Sequence, residues 1–147
     1  MKKLALLVFV LMFLAACTQY ARLYPVNDLA STTGVLKAKY IESGTGYGEI
    51  TLVMPDGETL SGEYTTAYPT YMGFGNILSN VYGTGESAAF GTGTATSFRV
   101  SESRPGIARL YGDRGTMMQC EYFVGNSTGK GRGACKKNDG SLYRLQF

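Results

Sequence analysis

From Gly34 to the C-terminus the chain is cut at short, nearly regular intervals by residues that turn a backbone, and no helical period longer than two turns runs between the cuts. Pro55-Asp56-Gly57, Asp113-Arg114-Gly115 and Asn138-Asp139-Gly140 are turn signals with a mechanism, because proline presets φ and glycine accepts positive φ. Gly44-Thr45-Gly46-Tyr47-Gly48 and Arg104-Pro105-Gly106 read the same way. Between them stand β-rich runs: Val35 to Ile41, Glu49 to Met54, Glu58 to Tyr64, Ala95 to Val100, Ile107 to Tyr111, Thr116 to Val124, Arg132 to Lys137 and Ser141 to Phe147. The first three predict an antiparallel meander. Short strands at regular spacing with Gly-rich turns predict an all-β domain of about eight strands, a small antiparallel barrel or sandwich. Protection of the edges favours closure into a barrel.

The stretch Tyr64 to Ser97 breaks this rhythm. It carries a single charge, Glu86, with many Gly and Thr, and it holds Tyr68, Tyr71, Phe74, Tyr82 and Phe90. Segments of this length inside a compact domain are usually functional. It reads either as a long ordered loop with embedded strands, its aromatics roofing a small core, or as a partner-facing surface of Tyr68, Tyr71, Phe74 and Tyr82. Echoes such as Tyr82-Gly83-Thr84-Gly85 and Tyr111-Gly112-Asp113 fall at irregular spacing, which makes them recurrent hairpin ends and not a repeat architecture.

The N-terminus is of another kind. Lys2 and Lys3 precede an apolar run, Leu4 to Ala16, of thirteen residues, the length of a signal-peptide core and too short to span a bilayer comfortably. The run ends in Leu14-Ala15-Ala16-Cys17, and here the sequence resembles the bacterial lipoproteins, whose lipobox has an aliphatic residue, two small residues and an obligatory Cys. Small residues let the peptidase cleft admit an extended backbone, and the thiol receives the diacylglycerol. The resemblance implies cleavage after Ala16, acylation of Cys17 and anchoring by two or three acyl chains, which hold stably where one chain does not. Thr18 after the lipidated Cys implies sorting to the outer membrane. The expected organisation is a signal peptide over 1–16, a lipidated tether over 17–33 and one β domain over 34–147. The tether stretch carries Pro25 and Asn27-Asp28, with room for a short helix.

With Cys17 acylated, Cys120 and Cys135 remain, in an exported protein where disulfides persist. They flank Gly125-Asn126-Ser127-Thr128-Gly129-Lys130-Gly131, so a hairpin centred on that loop sets them opposite one another and within bonding reach. Such a closure stabilises by about 3 kcal/mol, a structural staple. Neither a Cys-x-x-Cys motif nor a cationic setting suggests a catalytic thiol.

Composition narrows the function classes. The chain contains no His, which removes imidazole acid-base chemistry, His-activated nucleophiles and His-ligated metals. Without Lys2 and Lys3 the charge is +1, so a strongly basic nucleic-acid binder is not expected. The charge is segregated: Cys17 to Phe98 is net −4, whereas Arg99 to Phe147 is net +5. If Arg99, Arg104, Arg109, Arg114, Lys130, Arg132, Lys136, Lys137 and Arg144 share a face, they suit lipid phosphates, lipopolysaccharide or an acidic partner; otherwise they are solvated side chains pairing with the acidic half.

Apparent catalytic motifs dissolve on inspection. Gly125-Asn126-Ser127-Thr128-Gly129 has the nucleophile-elbow spacing but no His base and no following helix. Gly125 to Lys130 is one residue short of a phosphate loop and lacks the Ser or Thr after Lys. Gly83-Thr84-Gly85-Glu86 imitates a dinucleotide fingerprint without the strand and helix it needs. Glu42, Glu49, Asp56, Glu58 and Glu63 offer the carboxylates that a glycan hydrolase uses, though solvated strand and turn positions explain them as well. Tyr143, Leu145 and Phe147 alternate to a terminal Phe, like the closing strand of an outer-membrane barrel, but the β runs are mostly shorter than the 9 to 11 residues a membrane strand requires.

The expected function is therefore a non-enzymatic, outer-membrane-anchored lipoprotein that binds or scaffolds a protein partner in the envelope, without cofactor, metal or nucleic acid. The alternatives are a periplasmic hydrolase inhibitor, a small outer-membrane β-barrel and a carboxylate-dependent envelope glycan hydrolase.

Overall fold

A computed structural model describes residues 18–66, 77, 78, 81 and 103–147. Among the described residues eight antiparallel strands run β1 (Gln19–Pro25), β2 (Leu36–Gly44), β3 (Tyr47–Val53), β4 (Thr59–Thr66), β5 (Ser103–Gly112), β6 (Met117–Gly125), β7 (Gly131–Lys137) and β8 (Leu142–Gln146), with a short helix, α1 (Asp28–Ser31), after β1. Each strand pairs with its neighbours in sequence, and β1 pairs with β8 to close a barrel. Closure removes the exposed edges that an open sheet of this length would present.

Alternation builds the interior. Ala21 and Leu23 on β1, Leu36 and Ala38 on β2, Ile50 and Leu52 on β3, Leu60 on β4, Ala108 and Leu110 on β5, Met118 and Cys120 on β6, and Tyr143 and Leu145 on β8 all turn inward and are buried. Fully burying one large apolar side chain stabilises by about 1.5–3 kcal/mol, so this single cluster carries the fold. The intervening positions face outward and many are charged: Arg22, Lys37, Lys39, Glu49, Glu63 and Arg109 are exposed, beside the exposed Tyr20, Val53, Tyr111 and Met117. Cys120 and Cys135 stand directly opposite in the β6–β7 register, with Cα atoms 4.0 Å apart, and are joined by a disulfide.

Two elements differ from the sequence-based expectation. Gln19–Pro25, inside the stretch expected as a tether, is strand β1 and closes the barrel. Its Ala21 and Leu23 alternate with exposed Arg22, and it pairs on both sides. The β structure therefore begins at residue 19, not 34. Arg104-Pro105-Gly106, expected as a turn, lies inside β5. Pro105 sits past the last β4 partner, Gly106↔Thr66, where β5 pairs only with β6 and a missing N–H is tolerated. Gly106 is small because a Cβ there would lie 2.3 Å from the Tyr122 ring. The expected strand Ala95 to Val100 lies outside the described residues.

Candidate functional site

The two ends of the barrel are unlike. At the end where β1 finishes, α1 plugs the opening: Ala30 is completely buried, and the Asn27 side chain joins three segments. Its Oδ1 accepts from the Ala30 and Leu142 N–H groups at 3.1 and 3.0 Å, and its Nδ2 donates to the Gly140 carbonyl at 2.9 Å. Thr33 Oγ1 and Tyr143 OH hydrogen-bond at 2.7 Å beneath it. At the same end Glu58 is buried and accepts from the Thr116 hydroxyl at 2.5 Å and from the Arg114 and Thr116 N–H groups, both at 3.1 Å. The hydrogen bond from the Thr116 hydroxyl, joined by those from the two N–H groups, holds the Glu58 carboxyl below the usual carboxylate range.

Among the described residues no helix plugs the opposite end, where β1 starts. A cavity of about 190 Å³ lies there, in the mouth of the barrel. Its wall is aromatic: Tyr40 meets Tyr64 and Phe147 edge to face with centroids 5.8 Å apart in each case, and Tyr122 meets Phe147 at 5.5 Å. Each ring comes from a position of core parity near the mouth end of its strand, so the apolar interior continues upward as rings. Two glycines make room for them. A Cβ on Gly106 would meet the Tyr122 ring, and a Cβ on Gly131 would come within 2.0 Å of the Phe147 ring.

Polar atoms ring this apolar wall. Tyr40 OH donates to Gln19 Oε1 at 2.6 Å, Tyr122 OH and Thr66 Oγ1 stand 3.5 Å apart, and Glu42 Oε1 accepts from the Gly46 N–H at 3.1 Å. Arg104 completes the lining on the β5 side. Burial pushes the Tyr122 phenol up to about 12. Tyr40 and Tyr64 are raised by burial and then by the nearby Glu42 carboxylate. At neutral pH all three phenols keep their protons. What the mouth offers a ligand is ring faces, hydroxyl hydrogen bonds, one carboxylate and one guanidinium, a recognition chemistry suited to a mostly apolar group with a few polar atoms.

The residues singled out in the sequence fall as follows. Cys17, Tyr68, Tyr71, Phe74 and Tyr82 lie outside the described residues. The chain leaves the barrel at Thr66 and re-enters at Ser103, both at the mouth end. From that interval Ile77, Leu78 and Val81 are helical and buried on the outside of the barrel with Ala134, against Phe123 and Leu142. Glu121 Oε2 accepts from the Ile77 and Leu78 N–H groups at 3.0 and 3.2 Å. Cys120 and Cys135 are the core staple already described.

The five carboxylates do not converge. Glu49 and Glu63 are register partners on the outer wall, Asp56 pairs with Arg114 at 3.2 Å, Glu58 holds the turn at the plugged end, and Glu42 is at the mouth. The basic residues of the C-terminal third are also dispersed: Arg104 lines the mouth, Arg114 pairs with Asp56, and Lys137 pairs with Asp139 at 2.8 Å. The Gly125 to Gly129 motif forms the β6–β7 hairpin loop. Among the described residues no group of three or more His, Cys, Asp or Glu is arranged to hold a metal ion.

Sequence reasoning did not assemble the mouth. Tyr40, Tyr64, Tyr122 and Phe147 lie far apart in sequence, and only strand parity together with the closed register brings them to one end. The usable signal was an aromatic at a core-parity position toward the same end of β2, β4, β6 and β8.

Fold and site together define a closed up-and-down β-barrel, plugged at one end and with a ring-lined mouth at the other. No protein-family model, no curated protein and no solved structure matches the chain.

Proposed function

We propose that this is a non-enzymatic lipoprotein of the bacterial outer membrane, anchored through acylated Cys17, whose barrel binds a protein partner in the envelope through its mouth end. The observation that carries this reading is the convergence of three features on that end. The aromatic cavity lies there, the interval bearing Tyr68, Tyr71, Phe74 and Tyr82 leaves and returns there, and β1 begins there at Gln19, two residues after Cys17. A residue spans at most about 3.6 Å, so an acylated Cys17 keeps the barrel within a few ångströms of the bilayer surface.

The distribution of side chains favours an anchored barrel over a spanning one. A membrane barrel presents an apolar band to lipid, and each Arg or Lys on that face costs about 2–4 kcal/mol at the midplane. Here Arg22, Lys37, Lys39 and Arg109 stand on the outer face among the exposed Tyr20, Val53 and Tyr111, so cations interrupt any apolar band.

Photo-crosslinking amino acids at Tyr40 and Tyr64 in the mouth, and at Tyr68, Tyr71, Phe74 and Tyr82, test the binding claim in intact cells. The reading predicts one recurring protein adduct from these sites and none from Val53 on the outer wall near the plugged end. Absence of any specific adduct from the mouth set contradicts it.

A further inference from the structure

The cavity at the mouth exists because the barrel is filled unevenly. A closed barrel of eight strands has an interior that side chains just fill, or that holds one small ligand. Toward the plugged end Leu23 on β1 and Leu110 on β5 fill it. Two residues nearer the mouth on the same strands stand the much smaller Ala21 and Ala108, and both line the cavity with Ile50 and Leu145. Its volume is about 190 Å³. An apolar cavity of about 150 Å³ takes one benzene, so the space suits a single ring or a branched aliphatic group.

Beyond this apolar layer the inward positions turn polar. Gln19, Glu42, Thr66 and Arg104 lie two residues past Ala21, Tyr40, Tyr64 and Gly106 on their strands, and all four line the cavity. Strand alternation therefore turns each of them inward. Polar residues at inward positions break the pattern of a packed interior, and such breaks concentrate at functional sites. Gln19 accepts from the Tyr40 hydroxyl, and Glu42 uses Oε1 on the Gly46 N–H. Glu42 on β2 and Arg104 on β5 carry opposite charges, and among the described residues neither forms an ion pair. A carboxylate and a guanidinium held apart over an apolar space complement a ligand whose polar end carries both signs. We infer that the mouth cavity binds a free amino acid with a single-ring or branched aliphatic side chain, its ammonium group at Glu42 and its carboxylate at Arg104. This small-ligand site depends neither on the anchor at Cys17 nor on the protein partner proposed for the same end.

Fluorine NMR on the full chain in phosphatidylcholine nanodiscs tests it. The probes are para-fluorophenylalanine, its amide, which lacks the carboxylate, and para-fluorophenylpropionate, which lacks the ammonium group; empty nanodiscs give the blank. The zwitterion is expected to bind about three- to tenfold more tightly than either analogue, the worth of one charged contact at an exposed rim. E42Q is expected to bring the zwitterion down to the level of the propionate without weakening the propionate. R104Q is expected to bring it down to the level of the amide without weakening the amide. Both side chains are exposed, so neither change removes packing from the core. Alanine, which has no ring, is expected not to displace the zwitterion at equal concentration. Zwitterion binding no greater than in empty nanodiscs, equal affinity for the three probes, or an equal loss of all three in either variant would overturn the inference. Any of these beside a protein adduct from Tyr40 or Tyr64 in cells would leave the partner reading standing, so the two fail separately.

Discussion

Tyr122 and Phe147 meet edge to face at the barrel mouth, 5.5 Å between centroids and 80° between planes, each ring filling space that a glycine on the adjacent strand leaves open. Gly106 on β5 clears Tyr122, and Gly131 on β7 clears Phe147, whose backbone it also pairs with in both directions, at 2.8 and 3.0 Å. The site is thus built from absent side chains as much as from present ones.

Adding a methyl group at Gly131 therefore forces the Phe147 ring out of its contact with Tyr122 and Tyr40. Gly131→Ala is expected to destabilise the barrel by about 1–3 kcal/mol, the usual cost of overpacking, and to change the near-ultraviolet circular dichroism of the mouth tyrosines. Urea unfolding checks the first and the spectrum checks the second. An unaltered spectrum with wild-type stability would mean that the ring does not occupy the space above Gly131.

The disulfide closes a loop of 15 residues between directly opposed positions on β6 and β7. Replacing both Cys120 and Cys135 by Ala is expected to cost about 3 kcal/mol, mainly by freeing the unfolded chain. Urea midpoints of wild type with and without reductant, beside those of the double variant, measure it. Reduced wild type and the variant should fall together.

Glu58 ties the turn at Arg114–Thr116 to the start of β4, and its carboxyl is held below the usual range chiefly by the Thr116 hydroxyl. A carboxyl lowered in the folded state adds stability above its unfolded pKa, and this is lost as pH falls through the folded value. Wild type is expected to exceed Glu58→Gln in stability at neutral pH, with the gap closing below about pH 4. Thermal melts across that range decide it, and a gap that persists in acid would contradict the assignment.

Tyr122 titrates in the other direction. Burial raises its phenol to about 12, so its share of stability is complete below the unfolded value of 10.0 and is lost as pH rises toward 12. Ultraviolet difference titration is expected to include one late tyrosinate transition that Tyr122→Phe removes. Ionisation of every tyrosine near the ordinary value would contradict a buried Tyr122.

How far the sequence led can be judged from particular elements. Pro55-Asp56-Gly57 and Asn138-Asp139-Gly140 marked their hairpins because their turn chemistry is local, and the Cys120–Cys135 pairing followed from loop symmetry. Strand β1 was hidden because Pro25 and Asn27-Asp28 nearby suggest a linker, and its role depends on pairing with β8, more than a hundred residues away. Gly106 looked like a turn residue because a glycine that makes room for a ring and one that bends a chain are identical in sequence. The mouth is a product of register, in which residues distant in sequence, such as Tyr40 and Phe147, become neighbours only after closure.

Lipid attachment at the mouth end of the barrel is the central claim, and the mass of the N-terminal peptide of the protein recovered from membranes of a diderm bacterium tests it most directly. The account predicts a peptide beginning at Cys17 and carrying a diacylglyceryl group with or without an added N-acyl chain, together with release of the protein to the soluble fraction by Cys17→Ala. An unmodified Cys17 in the mature protein, or membrane attachment unchanged in that variant, would contradict it.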